Sequence, residues 1–198
     1  MALSVGKYKT VVVDAPWPVQ GYAHPEDAEF NHGLEKHVSY DVMTMEDITS
    51  FDIDRFADEK CLLFFWSTTG KTQCGKIILE ESFKIIKEWG FVYRAMLYWQ
   101  KNGGIPKPFL PYQTTVEPIL FCTRGIAQVP PYGGFKDIFE ASRGAHSEKP
   151  AKFYQLLRGW TPKPRIDIFA RRAHEGFDGW GNEYVGNSDE GTLMEWMK

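Results

Sequence analysis

The chain has 198 residues, of which 43% are hydrophobic and 25% are charged, and its net charge is −3. This composition predicts one soluble globular domain with a substantial core, and the net charge alone does not indicate a nucleic-acid-binding protein. No run of about 20 apolar residues predicts a membrane span, and the first residues lack the apolar stretch of a secretory signal. The cysteines Cys61, Cys74 and Cys122 have no metal-ligand spacing, which predicts free thiols and a cytoplasmic location.

The first predicted element lies in residues 10–17, TVVVDAPW. The valine run at 11–13 is β-branched and too short for a helix, so it predicts a buried strand of a parallel sheet. Asp14 follows at the carboxyl end of this strand, where open α/β sheets bind their ligands. The carboxylate is therefore a candidate functional group. The alternative is that the strand ends in a proline-rich turn in which Asp14 only caps the backbone.

Strands and helices then alternate along the chain. Apolar runs predict five further strands, at Cys61–Trp66, Phe91–Trp99, Val116–Thr123, Ile138–Ala141 and Arg165–Ala170. Helical spacing and terminal signals predict helices at Met45–Ser50, Thr72–Trp89 and Pro150–Arg158. This alternation predicts an α/β fold with a mostly parallel sheet.

Local signals refine these boundaries. Thr44 and Asp47 have the spacing of a capping box before the first helix, and Gly90 is well placed to end the second helix. Pro118 lies inside a predicted strand, which indicates an edge position, a bulge, or a strand that starts one residue later.

Two polar stretches rich in glycine and proline predict long loops, at about 19–39 and 101–115. We expect both loops to lie within a single domain spanning 1–186 and to recognise the substrate. Residues 187–198 form an acidic C-terminal tail, which we expect to be frayed.

Charge is distributed unevenly. Residues 14–60 contain twelve Asp and Glu against three Lys and Arg, whereas residues 143–172 contain eight Lys and Arg against two acidic residues. The second region is compatible with a local basic face or with a solvated surface of uneven charge.

The sequence contains no P-loop, GxGxxG, HExxH or GxSxG motif. It contains instead an ordered set of weaker segments: DAPW at 14–17, WGF at 89–91, VEPILF at 116–121, HSEKP at 146–150, DIFAR at 167–171 and GWGNE at 179–183. In this order they resemble the MT-A70 family of adenine-N6 methyltransferases, over residues 8–184. The resemblance implies a Rossmann-like methyltransferase sheet flanked by helices, in circularly permuted order with the catalytic strand first and the cofactor strand last.

The resemblance also implies S-adenosylmethionine as cofactor and adenine in a nucleic acid as substrate. The catalytic residues that it implies are Asp14, Ala15, Pro16 and Trp17. The substrate contacts that it implies are Tyr40, Glu117 and Lys149. The cofactor contacts that it implies are Asp14, Ser147, Lys149, Asp167, Phe169, Arg171, Asn182 and Glu183. His174 is an additional candidate for the cofactor pocket.

The adenine N6 amine is a poor nucleophile because its lone pair is delocalised into the ring. By resemblance, the Asp14 carboxylate and the carbonyl of residue 15 accept the two amine hydrogens and direct the lone pair at the sulfonium methyl group. The family signature is Asp-Pro-Pro-Trp, whereas this chain has Ala15 in place of the first proline. Pro16 still restricts the backbone of Ala15, so we expect the carbonyl to keep its direction. Trp17 is expected to stack on the adenine.

Other interpretations stay open. The departure at Ala15 is compatible with a catalytically silent subunit that supports an active paralogue, and Asp14 is compatible with a general base in another kind of α/β enzyme. Within the main hypothesis DNA is preferred over RNA, because no RNA-binding motif or added recognition domain is visible. No membrane association is expected, and a homodimer or heterodimer is compatible with the sequence.

Overall fold

A computed structural model describes residues 7–19, 42–106, 113–127, 129, 136–144, 148–182 and 184. The strands of this part of the chain are β1 (Tyr8–Val13), β2 (Ala57–Trp66), β3 (Val92–Pro106), β4 (Gln113–Arg124), β5 (Ile138–Ala141), β6 (Arg165–Ile168) and β7 (Asp178–Trp180). Its helices are α1 (Met45–Ser50), α2 (Ile78–Glu88) and α3 (Ala151–Trp160), with a short 3-10 turn at Ile53–Arg55. None of the described helices has the length and apolar character of a membrane span.

The described strands form one sheet in the order β5-β3-β4-β2-β1-β6-β7. β1 pairs in parallel with β2 on one side and with β6 on the other, and among the described strands β4 alone runs against the rest. The predicted mostly parallel α/β sheet is therefore confirmed, and it is consistent with a methyltransferase fold. Chain order reverses around β1, so a crevice opens outside the carboxyl ends of β1 and β6.

Helices cover both faces of the sheet. The residues of α1 and α2 pack with Val11, Val13, Leu63 and Phe65 on one face, and α3 packs with Val12, Leu62, Phe64 and Trp66 on the other. Because both faces are covered, the segment from Cys61 to Trp66 is a continuous apolar run and is at most 1% exposed. The layered core holds the ends of β1, β2 and β6 in fixed relative positions.

Two helix termini follow the predicted local rules. Thr44 Oγ1 accepts from Asp47 N (3.1 Å) and Thr44 N donates to Asp47 Oδ2 (3.3 Å), which completes the capping box of α1. Gly90 has a φ of 73°, its N–H donates to Lys87 O, and the Phe91 N–H donates to Ile86 O. This Schellman pattern ends α2 and directs the chain into β3.

Several boundaries and one strand differ from prediction. The second helix begins at Ile78 rather than Thr72, because Thr72 N donates to Lys76 O (2.8 Å) and its Oγ1 accepts from Lys76 N (3.0 Å) in a tight turn. Cross-strand pairing also outweighs the Gly-Gly signal at 103–104: β3 continues to Pro106 and β4 starts at Gln113, so much of the predicted loop at 101–115 is a hairpin. Local patterns do not predict β7, because its three residues include a glycine and depend on pairing with β6.

Pro118 lies in an interior strand, so the predicted edge position, bulge or later start is wrong. Its carbonyl accepts from Ser67 N (3.0 Å), just beyond the end of β2. In an antiparallel pair the N–H and C=O of one residue face the same neighbour. The missing N–H of Pro118 therefore faces Ser67, just beyond the last residue of β2, so only one bond at the end of this ladder is absent.

Most of the other predicted loop, residues 20–39, and the predicted tail at 187–198 lie outside the described residues. The described end of that loop, Val19, forms an isolated β-bridge with Thr72.

Candidate active site

The chain turns sharply after β1. Asp14 N donates to Ile168 O of β6 (3.4 Å), and Trp17 N donates to Ala15 O (2.9 Å) across Pro16. The fixed φ of proline suits the centre of such a three-residue turn. Pro16 O accepts in turn from Met43 N (3.0 Å). The Ala15 carbonyl therefore has a restrained direction, and its second lone pair can accept another hydrogen bond.

Lys149 lies two residues before α3 and faces the end of β1. Its Nζ is 2.8 Å from Asp14 Oδ2, 3.7 Å from Glu117 Oε2 and 5.1 Å from the centre of the Trp66 ring. Burial acts to lower the pKa of Lys149, but the carboxylates of Asp14 and Glu117 outweigh it, so the pKa is raised. Lys149 is therefore a charged group held against the end of β1.

Glu117 binds a second lysine through its other oxygen. Lys101 Nζ pairs with Glu117 Oε1 and lies 5.2 Å from the centre of the Trp99 ring. Burial acts to raise the pKa of Glu117, but Lys149 and Lys101 lower it below the usual value. Both oxygens of the predicted substrate-binding carboxylate thus face lysines.

Asp167 of β6 is almost fully buried and has two different oxygens. Oδ2 accepts from Tyr154 OH of α3 (2.9 Å), whereas Oδ1 has no hydrogen-bond partner within the described residues. Burial raises the pKa of Asp167 to about 8, and the charge of Asp14 adds to the shift. Asp167 is therefore a carboxyl group whose free oxygen can take a polar ligand.

His174 stacks on the Tyr154 ring, with centroids 3.5 Å apart and planes 9° from parallel. Its Nε2 is 3.8 Å from Asp167 Oδ2. Burial lowers the pKa of His174 to about 4, and the charge of Arg172 contributes to the same shift. His174 is thus neutral near pH 7, and its contact with Asp167 is not an ion pair there.

These groups line one cavity at the carboxyl ends of β1 and β6. Its lining consists of Asp14, Glu148, Lys149, Tyr154, Asp167, Phe169, Ala170, Arg171, Arg172 and His174. Phe169 has a φ of 63°, which is strained for a bulky residue, and its ring packs 5.1 Å from Phe51 and 6.0 Å from Trp180. The chain turns away from the sheet at this residue, and the turn forms one wall of the cavity.

The structure brings together five of the implied site residues, namely Asp14, Lys149, Asp167, Phe169 and Arg171. Glu117 joins them through Lys149. Asn182 is exposed and is not among the lining residues. Tyr40, Ser147 and Glu183 lie outside the described residues.

Trp17, which the resemblance implies as a stacking residue, lies in the core of the structure. Its ring is 7% exposed and packs edge-on against Phe65 at 5.5 Å, within the core on the α1 and α2 side. It does not present the free face that base stacking needs, because the turn at Pro16 directs it inward. Stacking on an adenine would require this ring to leave the core.

Half of the eight cations at 143–172 are ion-paired or buried within the protein. Arg172 pairs with Glu148 (2.7 Å), Arg158 pairs with Glu175 and Lys149 pairs with Asp14. Arg165 is only 5% exposed and donates from Nε to Thr161 Oγ1 (2.9 Å). These four cations therefore do not form a free basic face.

Sequence reasoning missed Tyr154 and Lys101. Tyr154 lies in the apolar stripe of α3, where its hydroxyl is hidden by an ordinary core pattern. Lys101 falls in a predicted loop, although strand periodicity from the buried Trp99 would have placed both side chains on one face. No group of three His, Cys, Asp or Glu side chains in the described part of the chain could hold a metal ion.

Comparisons with known proteins cover most of the chain. The MT-A70 family model matches residues 8–183. The Type II methyltransferase M.MunI of Mycoplasma sp is 28% identical over 202 aligned positions, which cover 93% of this chain and 81% of that relative. The family match includes every described segment that lines the cavity.

Proposed function

Because the chain belongs to the MT-A70 family, we propose that this methyltransferase transfers a methyl group from S-adenosylmethionine to the N6 amine of adenine in a nucleic acid, with DNA preferred over RNA. One observation carries the proposal: the Asp14 carboxylate and the restrained Ala15 carbonyl lie side by side in sequence at the end of β1, where the Asp14 side chain lines the cavity. In this proposal the catalytic strand β1 comes first in the chain and the cofactor-binding strand β6 comes late, which is the circularly permuted order.

The two acceptors suit an exocyclic amine. An amine has two N–H donors, and Asp14 Oδ and Ala15 O can each accept one of them. Acceptors that are in place before the reaction need no reorganisation when positive charge develops on the amine nitrogen. The turn at Pro16 supplies this restraint in place of the missing proline at position 15. For Asp14 to accept the amine, its pairing with Lys149 has to leave one oxygen available.

The cavity residues fit the proposed cofactor. S-adenosylmethionine, when bound, supplies an electrophilic methyl group on a sulfonium. The unpartnered Oδ1 of Asp167 is an acceptor suited to a ribose hydroxyl, and Lys149 and Arg171 bring positive charge suited to a carboxylate. We further propose that Phe169 forms an apolar wall of this pocket, and that Asn182 and Glu183 complete it.

The substrate base would have to leave its stack to reach the end of β1, as base-modifying enzymes require. Tyr40 and the hairpin between β3 and β4 are our proposed substrate contacts. A cytoplasmic location, which the cysteine content predicts, would suit this substrate.

Methyl transfer from labelled S-adenosylmethionine to DNA and RNA oligonucleotides tests the proposal. We expect N6-methyladenine in the nucleosides recovered from DNA, and we expect Asp14→Asn to lower the rate by about 100-fold, the scale of one preorganised polar contact. An exposed lysine in the last turn of α2, changed in Lys87→Met, serves as the control. Product on another base, or full activity of Asp14→Asn, would refute the assignment.

Calorimetry with S-adenosylmethionine distinguishes the proposed enzyme from a catalytically silent subunit. Absence of S-adenosylmethionine binding, together with no methyl transfer to any oligonucleotide, would favour the silent subunit that the departure at Ala15 also allows. Addition of an active paralogue would then be needed to obtain product.

A further inference from the structure

The described part of the β3–β4 hairpin holds a lysine that the proposed mechanism does not use. Lys101 of β3 lies two residues after Trp99, which pairs in register with Glu117 of β4. The Trp99 ring is anchored because its Nε1 donates to Ala141 O (2.9 Å). The Lys101 ammonium lies 5.2 Å from the centre of this ring and its side chain is 11% exposed. Lys101 is therefore held within the protein rather than extended into solvent.

Four charges of alternating sign run from this hairpin to the end of β1. In spatial order they belong to Lys101, Glu117, Lys149 and Asp14. Each oxygen of Glu117 faces one lysine, and Lys149 lies closer to Asp14 (2.8 Å) than to Glu117 (3.7 Å). Glu117 thus pairs mainly with Lys101, and Lys149 pairs mainly with Asp14.

We propose that Lys101 is a positioning residue that acts through Glu117 to keep Lys149 on Asp14. With Lys101 present, Glu117 shares its charge between two cations and attracts Lys149 only weakly. Without Lys101, Lys149 becomes the nearest of these cations to Glu117 and is drawn away from Asp14. The consequence for catalysis rests on the proposed function, whereas the displacement of Lys149 does not.

This displacement would alter the cavity in a definite way. Lys149 compensates the charge of Asp14, which itself acts on the buried Asp167. If Lys149 bound Glu117 instead, the carboxyl groups of Asp14 and Asp167 would face the cavity without the nearby positive charge of Lys149. Lys101 would therefore influence a site that its own side chain does not line.

The test uses four variants of the full chain: Lys101→Met, Lys101→Arg, Glu117→Gln and the double variant Lys101→Met/Glu117→Gln. Methionine keeps an apolar stem against Trp99, and arginine keeps the charge. The position of Lys149 is followed by 19F NMR of fluorotryptophan-labelled protein, because its Nζ lies 5.1 Å from the Trp66 ring. Trp66→Phe assigns that resonance, and methyl transfer supplies kcat and KM.

We expect Lys101→Met to shift the Trp66 resonance and to lower kcat by about tenfold with a smaller change in KM, a typical size for coupling between neighbouring charges. The double variant should return the Trp66 resonance toward its original position, since the neutral amide introduced by Glu117→Gln no longer competes for Lys149. Lys101→Arg should resemble the unmodified protein, as should the control Lys87→Met.

Two results would overturn the proposal. An unchanged Trp66 resonance in Lys101→Met would show that Lys149 does not move. A Trp66 resonance that stays shifted in the double variant would show that Lys101 does not act through Glu117. If Trp66 responds as expected but no oligonucleotide is methylated by the unmodified protein, the proposed function fails and the positioning role stands.

Discussion

Replacing Lys149 with methionine removes the cation that joins β1, β4 and the start of α3. At an effective dielectric constant of about 20, unit charges 2.8 and 3.7 Å apart attract by about 6 and 4.5 kcal/mol. Desolvation of the lysine offsets most of this attraction, and breaking a buried pair costs about 3–5 kcal/mol. We expect Lys149→Met to lower the free energy of unfolding by about 3 kcal/mol, at the low end of this range. The side chains of Asp14 and Glu117 are 20% and 25% exposed, so water solvates them in part, and Glu117 still pairs with Lys101.

Urea unfolding measures this loss, with equal m-values as the check that the denatured state is unchanged. Lys149→Met/Asp14→Asn should be more stable than Lys149→Met by about 1 kcal/mol, since the uncompensated carboxylate is gone. The exposed Lys152 of α3 provides the matched control, and Lys152→Met should stay within about 0.5 kcal/mol. A stability of Lys149→Met equal to that of the unmodified protein, or strictly additive losses in the double variant, would refute this reasoning.

Substitutions at two glycines and at Asp167 test the packing and the pH dependence of stability. A Cβ at Gly181 would meet the Ala170 backbone, so Gly181→Ala should cost about 1–3 kcal/mol by thermal unfolding. Gly159 of α3 has open space around it, and Gly159→Ala should instead stabilise by up to about 1 kcal/mol; equal effects at both sites would contradict this packing. Because burial raises the pKa of Asp167 to about 8, the folded state retains a proton that the unfolded state releases near pH 4. The contribution of Asp167 to stability should therefore fall as pH rises from about 4 to about 8, by at most about 1.4 kcal/mol per pH unit. His174, whose pKa is lowered from 6.5 to about 4, acts in the opposite sense below about pH 6.5, so the net fall is expected mainly between about pH 6.5 and 8. Asp167→Asn should remove this fall; an unchanged pH profile would show that Asp167 does not titrate in this range.

Much of the candidate site could be inferred from the order of short segments. Asp14, Lys149 and Asp167 each lie in or beside an element that local patterns predict, so their arrival at one end of the sheet follows from the α/β class. The actual partners could not be inferred, because Lys101, Glu117 and Lys149 meet only through the pairing of β3 with β4 and the position of α3. The inward direction of Trp17 likewise depends on Phe65, which belongs to a strand about 50 residues later.

Local sequence is sufficient to specify the valine strand that ends in Asp14, the capping box at Thr44 and Asp47, and the end of α2 at Gly90. These features depend on side chains and backbone groups only a few residues apart, and such interactions form in any context that permits them. Tertiary structure decided that the hairpin replaces a loop, that β7 exists, and that Lys149 binds Asp14 while Lys101 binds Glu117. Those outcomes depend on which strands become neighbours in the sheet. The strand order is selected because it buries both faces of the whole sheet, and this requires contacts between residues far apart in the sequence.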